Sequence, residues 1–135
     1  MVAWGARQLD YLPTRIFFWI VAALYAFGGI VHVQNILGLS GYAWSDSPPA
    51  WQIFDIVFLV LNAAVVIGVL ARRGWGVIAF VAAAGLQVVM YQFFPEAFAL
   101  GPEQFEIVAR LRTFALGLLV IFGLLVLLGA WNGKT

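Results

Sequence analysis

Long apolar runs separated by short polar stretches are the dominant pattern of this chain. Four of these runs are about long enough to cross a bilayer as a helix, which takes roughly 20 residues. They lie at residues 14–37, 50–71, 75–94 and 102–131, with turn-forming residues between them. The pattern therefore predicts four transmembrane helices.

Proline and glycine mark the ends of these predicted helices. Pro13 predicts an extended break, after which Thr14 is expected to cap the first helix. Gly38 and Gly41 are expected to end that helix, because glycine readily adopts the left-handed conformation of a helix C-terminus. Pro102 is a favoured first-turn residue and predicts the start of the last helix.

The connections between the predicted helices are short, above all Arg72-Arg73-Gly74. Short connections make consecutive helices antiparallel neighbours. We therefore predict an all-α fold, an integral membrane four-helix up-down-up-down bundle, as a single domain over residues 1–135. For the segment Met1–Leu12 two interpretations are open: a short helix lying in the membrane interface, or an ordinary lead-in to the first span.

Composition supports lipid as the solvent for most of the surface. Of the 135 residues, 64% are hydrophobic and 10% are charged, against roughly 45–50% and about 25% in soluble domains. The mean hydropathy is +1.01, and a chain of this length has too small an interior to bury so much apolar surface. The run from Ile16 to Ile36 is too long for a signal-peptide core, so we expect it to be retained.

Several classes of function are disfavoured by what the chain contains. The net charge is only +1 and no basic stripe is present, which argues against a nucleic-acid partner. The absence of cysteine removes disulfides, thiolate metal sites and cysteine nucleophiles. The single histidine cannot supply both ligands of a bis-histidine haem, and no HExxH-type motif occurs. We therefore predict no metal site and no catalytic residue.

Basic residues are concentrated on one side of the predicted bundle. The two connections on the other side contain Asp46, Glu96 and Glu103 and no Lys or Arg of their own. Arg110 and Arg112 are exceptions, inside the outer end of the last helix. The positive-inside rule then predicts a multi-pass protein of the cell inner (plasma) membrane with cytoplasmic termini. The residues on the predicted inner side are Arg7, Arg15, Arg72, Arg73 and Lys134.

Each predicted helix carries one polar face, since positions three, four or seven residues apart lie on the same side of a helix. Polar groups inside a span are costly, so their placement points to function or to helix pairing. Most of them fall in the outer third of the bundle. We predict a polar pocket or network open toward the outer leaflet, with the candidate residues His32, Asn35, Asp55, Asn62, Gln87, Tyr91, Glu106 and Arg110.

His32 and Asp55 have both a structural and a functional interpretation. His32 is either a satisfied histidine of the bundle or a group that exchanges protons or binds a ligand, because imidazole titrates near physiological pH. Asp55 is either the ion-pair partner of Arg110 or Arg112 or a member of a functional site, since buried charges need partners. The sequence leaves both choices open.

The remaining candidates also have structural interpretations. Glu106 and Arg110 are four residues apart, so an ion pair within one helix is expected. Gln87 and Asn62 are expected to form hydrogen bonds between helices unless they contact a ligand. Arg112 points away from the face of Arg110 and is expected to reach the lipid phosphates.

The order of Arg15, a long apolar helix, Gly28-Gly29 and His32 resembles the opening helix of small DoxX-like membrane proteins. Those proteins are also four-span chains of about this length. The resemblance implies an association with membrane oxidoreductase or quinone-linked systems. Only Arg15 and His32 are carried over from this resemblance, and the other candidate residues come from the helical faces alone.

Three functions compete at this point. Small size, short loops and abundant small residues favour a non-catalytic subunit or interaction partner of a larger membrane complex, or a homo-oligomer. The polar layer favours a binding or redox-associated protein for a lipophilic molecule, with a quinone or a lipid as the possible cofactor. A small transporter ranks lowest, because the first span has no carboxylate near its middle. Without a catalytic motif, the sequence does not favour an enzyme.

Overall fold

The protein is described by a computed structural model over residues 1–133, so Lys134 of the charge argument lies outside the described residues. Four of its helices are long and apolar enough to cross a membrane. Short 3-10 turns precede α3 and α5 in the two longer connections. The helices are α1 Val2–Asp10, α2 Leu12–Ile36, α3 Pro49–Leu70, α4 Gly74–Phe93 and α5 Pro102–Trp131.

Helices α2 to α5 form an antiparallel bundle in which each helix packs mainly against the next one in the chain. The predicted all-α up-down-up-down architecture is therefore confirmed. Helices α2 and α5 touch each other far less than the consecutive pairs do, which leaves a seam between them. We call the end that carries Arg72 and Arg73 the basic end, and the opposite end, which carries Asp46 and Asp55, the acidic end.

The predicted end of the first span is confirmed. Gly38 and Gly41 have φ values of +70° and +91°, a conformation that glycine adopts without the steric penalty of a side chain. The N–H of Leu39 donates to the carbonyl oxygen of Gln34 at 2.8 Å. This bond satisfies a carbonyl of the last helical turn and turns the chain away from the helix axis.

The predicted start of the first span is wrong by two residues. The extended residue is Tyr11, with φ −76° and ψ 117°, and α2 already begins at Leu12. Pro13 lies within the first turn, where the N–H that proline lacks has no helical partner anyway. Thr14 is fully buried and makes no capping hydrogen bond.

The segment before the first span is a helix docked on the bundle. Helix α1 packs against α4, and its residues Gly5, Gln8 and Leu9 are buried. A Cβ atom added to Gly74 would collide with the carbonyl oxygen of Val2, so the two backbones touch. Of the two interpretations of this segment, the structure agrees with the short helix.

The core is densest in the half of the bundle near the basic end. The ring centroid of Phe18 lies 5.3 Å from that of Phe80 and 5.2 Å from that of Phe122. Helices α3 and α4 meet closely there, because a Cβ added to Gly68 would lie 2.5 Å from the Cα of Gly76. A second, smaller cluster lies at the acidic end and consists of Tyr91, Phe98, Ala99 and Val108.

Candidate functional site

Asp55 is the centre of a hydrogen-bond cluster at the acidic end. Its carboxylate is 4% exposed and accepts hydrogen bonds from three side chains. His32 Nδ1 and Asn35 Nδ2 donate to Oδ1 at 2.7 Å and 3.2 Å, and Trp44 Nε1 donates to Oδ2 at 3.0 Å. The buried carboxylate is thus satisfied on both oxygens, as a group inside a membrane span has to be.

The local fold brings these donors to Asp55. His32 and Asn35 are three residues apart on α2 and therefore share a face that packs against α3. The loop after Gly38 folds back, and its 3-10 turn at Trp44–Asp46 places the Trp44 indole against the start of α3. Ser40 Oγ donates to Asn35 Oδ1, which leaves the Asn35 nitrogen directed at Asp55.

The His32 ring is held on two sides. Its Nδ1 faces Asp55, and its plane stacks on Phe58 with a centroid distance of 5.9 Å and an interplanar angle of 21°. Because a carboxylate only accepts hydrogen bonds, this Nδ1 carries a proton. Nε2 has no hydrogen-bond partner within residues 1–133, and the side chain remains 21% exposed.

A cleft of about 370 Å³ lies beside His32, between the two core clusters. The exposed part of its lining is apolar and comes from α2 and α5, with Phe27 67% exposed. Its mouth therefore lies at the seam between these helices, on the flank that lipid covers in a membrane protein. The mouth residues are Leu24, Phe27, Leu111 and Phe114.

The polar side chains that line the cleft come from α2, α3 and α4. His32 on α2, Asn62 on α3, and Gln87 with Tyr91 on α4 all contribute to its wall. These four were predicted to lie on inward polar faces, and the structure brings them together around one space. Asn35 and Asp55 stand behind His32 rather than in the lining.

Asn62 also connects two helices. Its amide nitrogen donates to the carbonyl oxygen of Phe58 and its oxygen accepts from the N–H of Gly29, both at 3.2 Å, in the amide orientation that its neighbours require. A Cβ at Gly28 would lie 3.0 Å from this amide. The bonds agree with the interhelical role expected of Asn62, which also faces the cleft.

Glu106 and Arg110 lie apart from the cleft. They form the predicted i,i+4 ion pair with each other on the outer surface of α5, where their side chains are 64% and 76% exposed. The expectation that α5 turns this polar face into the bundle is therefore wrong. Helix α5 instead buries Val108, Ala115 and Leu118, because burying two charges costs more than leaving them near the helix end.

The structure also decides whether Asp55 pairs with Arg110 or Arg112. Arg112 donates to Gln92 Oε1 at 3.0 Å, and Arg110 is engaged with Glu106. Asp55 is therefore held by His32, Asn35 and Trp44 and not by an arginine. Arg112 also differs from the expectation that it extends to the lipid phosphates.

Trp44 and the mouth of the cleft were missed by sequence reasoning. Trp44 is not among the predicted site residues, although its indole N–H in a loop just before α3 is a signal for a nearby acceptor. Phe27, Leu111 and Phe114 carry no sequence signal, because an apolar residue on a membrane helix looks the same whether it faces lipid or a cleft.

Tyr42 lies in the loop over the cluster, outside the spans. Its ring stacks on Trp51 with a centroid distance of 6.0 Å. Partial burial, and secondarily the negative charge of Asp55, raise the pKa of the Tyr42 phenol above its ordinary value. Tyr42 therefore remains a neutral hydrogen-bonding group at physiological pH.

The chemistry available at this site is hydrogen bonding and proton exchange within an apolar enclosure. Over residues 1–133, no group of three or more His, Asp or Glu side chains is placed to hold a metal ion. The cleft combines an apolar mouth on the lipid-facing flank with polar groups at its back. Such a combination suits a small molecule that has an apolar body and a polar head.

Fold and site together define a polytopic α-helical membrane protein with a cleft that opens on its flank. The chain belongs to DUF6163, a family of unknown function, whose match covers residues 13–132. No curated protein and no solved structure gives a significant match to the chain. The match covers the four transmembrane helices except for Leu12, the first residue of α2, and it includes every residue of the candidate site.

Proposed function

We propose that this protein binds a lipophilic molecule in the cleft between α2 and α5. The observation that carries the proposal is the arrangement of the lining, with an apolar mouth on the flank and four polar side chains behind it. A volume of about 370 Å³ lies within the roughly 300–1,000 Å³ of small-molecule sites. The molecule would enter from the bilayer and place its polar head against His32.

One polar atom of the cleft wall has no hydrogen-bond partner in the part of the chain that the structure describes, which supports ligand binding rather than a purely structural role for these side chains. Among residues 1–133, Asn62 and Asp55 find hydrogen-bond partners, whereas His32 Nε2 does not. An unpaired polar group inside a bilayer costs free energy. A bound head group that pairs with His32 would remove that cost.

A quinone or a lipid is the class of molecule that we infer for the cleft. The resemblance to DoxX-like proteins supports a quinone and a redox-associated role. Of Arg15 and His32, the two residues carried over from this resemblance, only His32 lines the cleft. Arg15 lies near the start of α2, with its guanidinium 5.8 Å from the ring centroid of Trp19.

Blocking the mouth tests this proposal. Leu111→Trp adds bulk at the mouth, and we expect it to weaken binding of decylubiquinone to the protein in lipid nanodiscs by about tenfold or more, because the larger ring would occupy space that the ligand needs. Ile107→Trp is the matched control, since Ile107 lies one turn earlier on α5, exposed and outside the lining. Equal affinity in both variants would contradict the proposal.

A role as a subunit of a larger membrane complex, or as a homo-oligomer, is a second candidate. It is favoured by Gly117 and Gly123 on the outer surface of α5, where an added Cβ would meet nothing within 4 Å. Small residues on an exposed face let another helix approach closely. Native mass spectrometry in mild detergent tests it, and a monomer without copurifying chains would count against it.

We also infer that the protein resides in the inner (plasma) membrane with both termini in the cytoplasm. The support is the concentration of Arg7, Arg15, Arg72 and Arg73 at the basic end. On this orientation the cleft and the Asp55 cluster lie in the half of the bundle toward the outer leaflet.

A further inference from the structure

The hydrogen bonds at Asp55 determine which nitrogen of His32 can accept a hydrogen bond from a ligand. Asp55 receives donors on both oxygens, from His32, Asn35 and Trp44. A carboxylate oxygen accepts hydrogen bonds, so Oδ1 requires the proton of the imidazole on Nδ1, 2.7 Å away. In the neutral ring, this tautomer places the lone pair on Nε2.

This acceptor is preorganised. The stacking of the ring on Phe58 and its bond to Asp55 fix the imidazole in both plane and rotation. Within residues 1–133, Nε2 has no donor, while the ring forms part of the cleft wall. An acceptor on the wall of an apolar cleft loses free energy when it meets no donor, so a ligand that supplies a hydrogen-bond donor gains more here than one that does not.

The other polar groups of the wall do not discriminate in this way. Asn62 and Gln87 have amides that both donate and accept, and the hydroxyl of Tyr91 does the same. Each of them can serve a carbonyl, an ether or a hydroxyl head. Only His32, with its proton held on Nδ1 by Asp55, presents a pure acceptor.

We propose that the cleft selects amphiphiles whose head is a phenolic or enolic hydroxyl, and that His32 Nε2 accepts the hydrogen bond from that hydroxyl. The hydroquinone form of a quinone belongs to this class, whereas its oxidised form offers only carbonyls. The inference rests on the proposed function, because it names the head group of the molecule that the cleft binds. Asp55 is the positioning residue that holds the proton on Nδ1.

A pair of probes that differ only in the hydroxyl proton tests this selectivity. We would measure the affinities of para-decylphenol and its methyl ether, para-decylanisole, for the protein in phosphatidylcholine nanodiscs, correcting each for its partition into lipid. At about pH 8.5, where free imidazole is neutral, the phenol is expected to bind about tenfold more tightly, because the ether leaves the acceptor unpaired.

Two variants assign the selectivity to His32 and Asp55. His32→Phe keeps an aromatic ring against Phe58 but has no acceptor, so the phenol is expected to lose its advantage while the anisole keeps its affinity. Asp55→Asn supplies an amide donor to Nδ1 and so favours a proton on Nε2, which should also abolish the preference. Asp46→Asn, which removes a charge from the exposed loop, is the matched control and should retain it.

The outcomes separate the inference from the function on which it rests. Equal affinity of the two probes for the unmodified protein, with both lost in Leu111→Trp, would overturn the selectivity and leave the cleft as a binding site. Failure of both probes to bind would overturn both the selectivity and the proposed binding site. Should Asp55→Asn not fold, as judged by its thermal unfolding, His32→Phe decides alone, and a preference that persists in His32→Phe would refute the role of His32.

Discussion

Asp55 shows how a carboxylate is accommodated inside a transmembrane helix by hydrogen bonds. Its partners are an imidazole, an amide and an indole, all at distances between 2.7 and 3.2 Å. The two arginines that the sequence offered as partners, Arg110 and Arg112, are engaged with Glu106 and Gln92. The cluster therefore depends on each of these three donors, and the bond to Asp55 ties the loop of Trp44 to the bundle.

Replacing Trp44 by Phe should destabilise the protein. The change removes the donor to Asp55 Oδ2 and leaves an acceptor of a 4% exposed carboxylate unpaired. We expect a loss of about 1–2 kcal/mol in the free energy of unfolding, measured by thermal unfolding in detergent. Trp131→Phe is the control, because Trp131 is 90% exposed. A loss of the same size in both variants would show that the hydrogen bond from the Trp44 indole to Asp55 does not contribute to the free energy of unfolding.

The grouping of the site residues was partly predictable from the sequence. Helical spacing alone grouped His32 with Asn35 and Asp55 with Asn62, because both pairs lie on one side of their helices. Spacing does not fix how far a helix is rotated about its own axis in the bundle. For that reason the polar face of α5 was placed inward, and arginine partners were considered for Asp55, although Glu106 and Arg110 face outward.

At the scale of helices, glycine decides where backbones touch. Gly68 on α3 and Gly76 on α4 lie so close that a Cβ on either would overlap the other backbone. Gly5 and Gly74 bring α1 against α4 in the same way. These contacts hold α1, α3 and α4 together near the basic end, so the opening of the bundle is confined to the side of α2 and α5.

A pair of glycine substitutions tests this packing. Gly76→Ala places a Cβ 2.6 Å from the backbone of Gly68, so we expect α3 and α4 to separate at a cost of about 1–3 kcal/mol. Gly123→Ala adds the same methyl group to an open helix surface and should be neutral or stabilise by about 0.5–1 kcal/mol through helix propensity. Thermal unfolding measures the stability of both variants. A Gly123→Ala protein that is less stable than Gly76→Ala would contradict the close contact between α3 and α4.

Helix number and length were the most predictable features of the fold. A span has to match the thickness of the hydrocarbon layer, so an apolar run near 20 residues permits little choice. The boundaries at Gly38 and Pro102 followed from local backbone preferences. The start of α2 did not, because Pro13 fits a first helical turn as well as it fits a break, and the packing of α1 on α4 decides between the two.

For the whole molecule, the incomplete contact between α2 and α5 is the feature from which the proposed function follows. A bundle closed on three sides and open on the fourth would admit a molecule from the bilayer through that side. The sequence could not predict this seam, because the residues at the mouth are as apolar as those that face lipid. The orientation of the bundle, in contrast, is a prediction from charge alone.

The absence of cysteine from the chain makes that orientation directly measurable. Ser45→Cys lies in the loop at the acidic end, and Asn132→Cys lies at the end of α5. In intact cells, a membrane-impermeant maleimide is expected to label Ser45→Cys and to label Asn132→Cys only after lysis, since basic residues favour the cytoplasmic side. Labelling of Asn132→Cys in intact cells, and of Ser45→Cys only after lysis, would contradict the proposed orientation.

The binding of a lipophilic molecule in the seam can be tested on protein purified from its own membranes. Native mass spectrometry would compare the unmodified chain with Leu111→Trp and with Ile107→Trp. If the cleft is the binding site, the unmodified chain and Ile107→Trp will carry a small lipophilic adduct that Leu111→Trp lacks. An adduct of equal occupancy in all three, or in none of them, would contradict a ligand in this cleft.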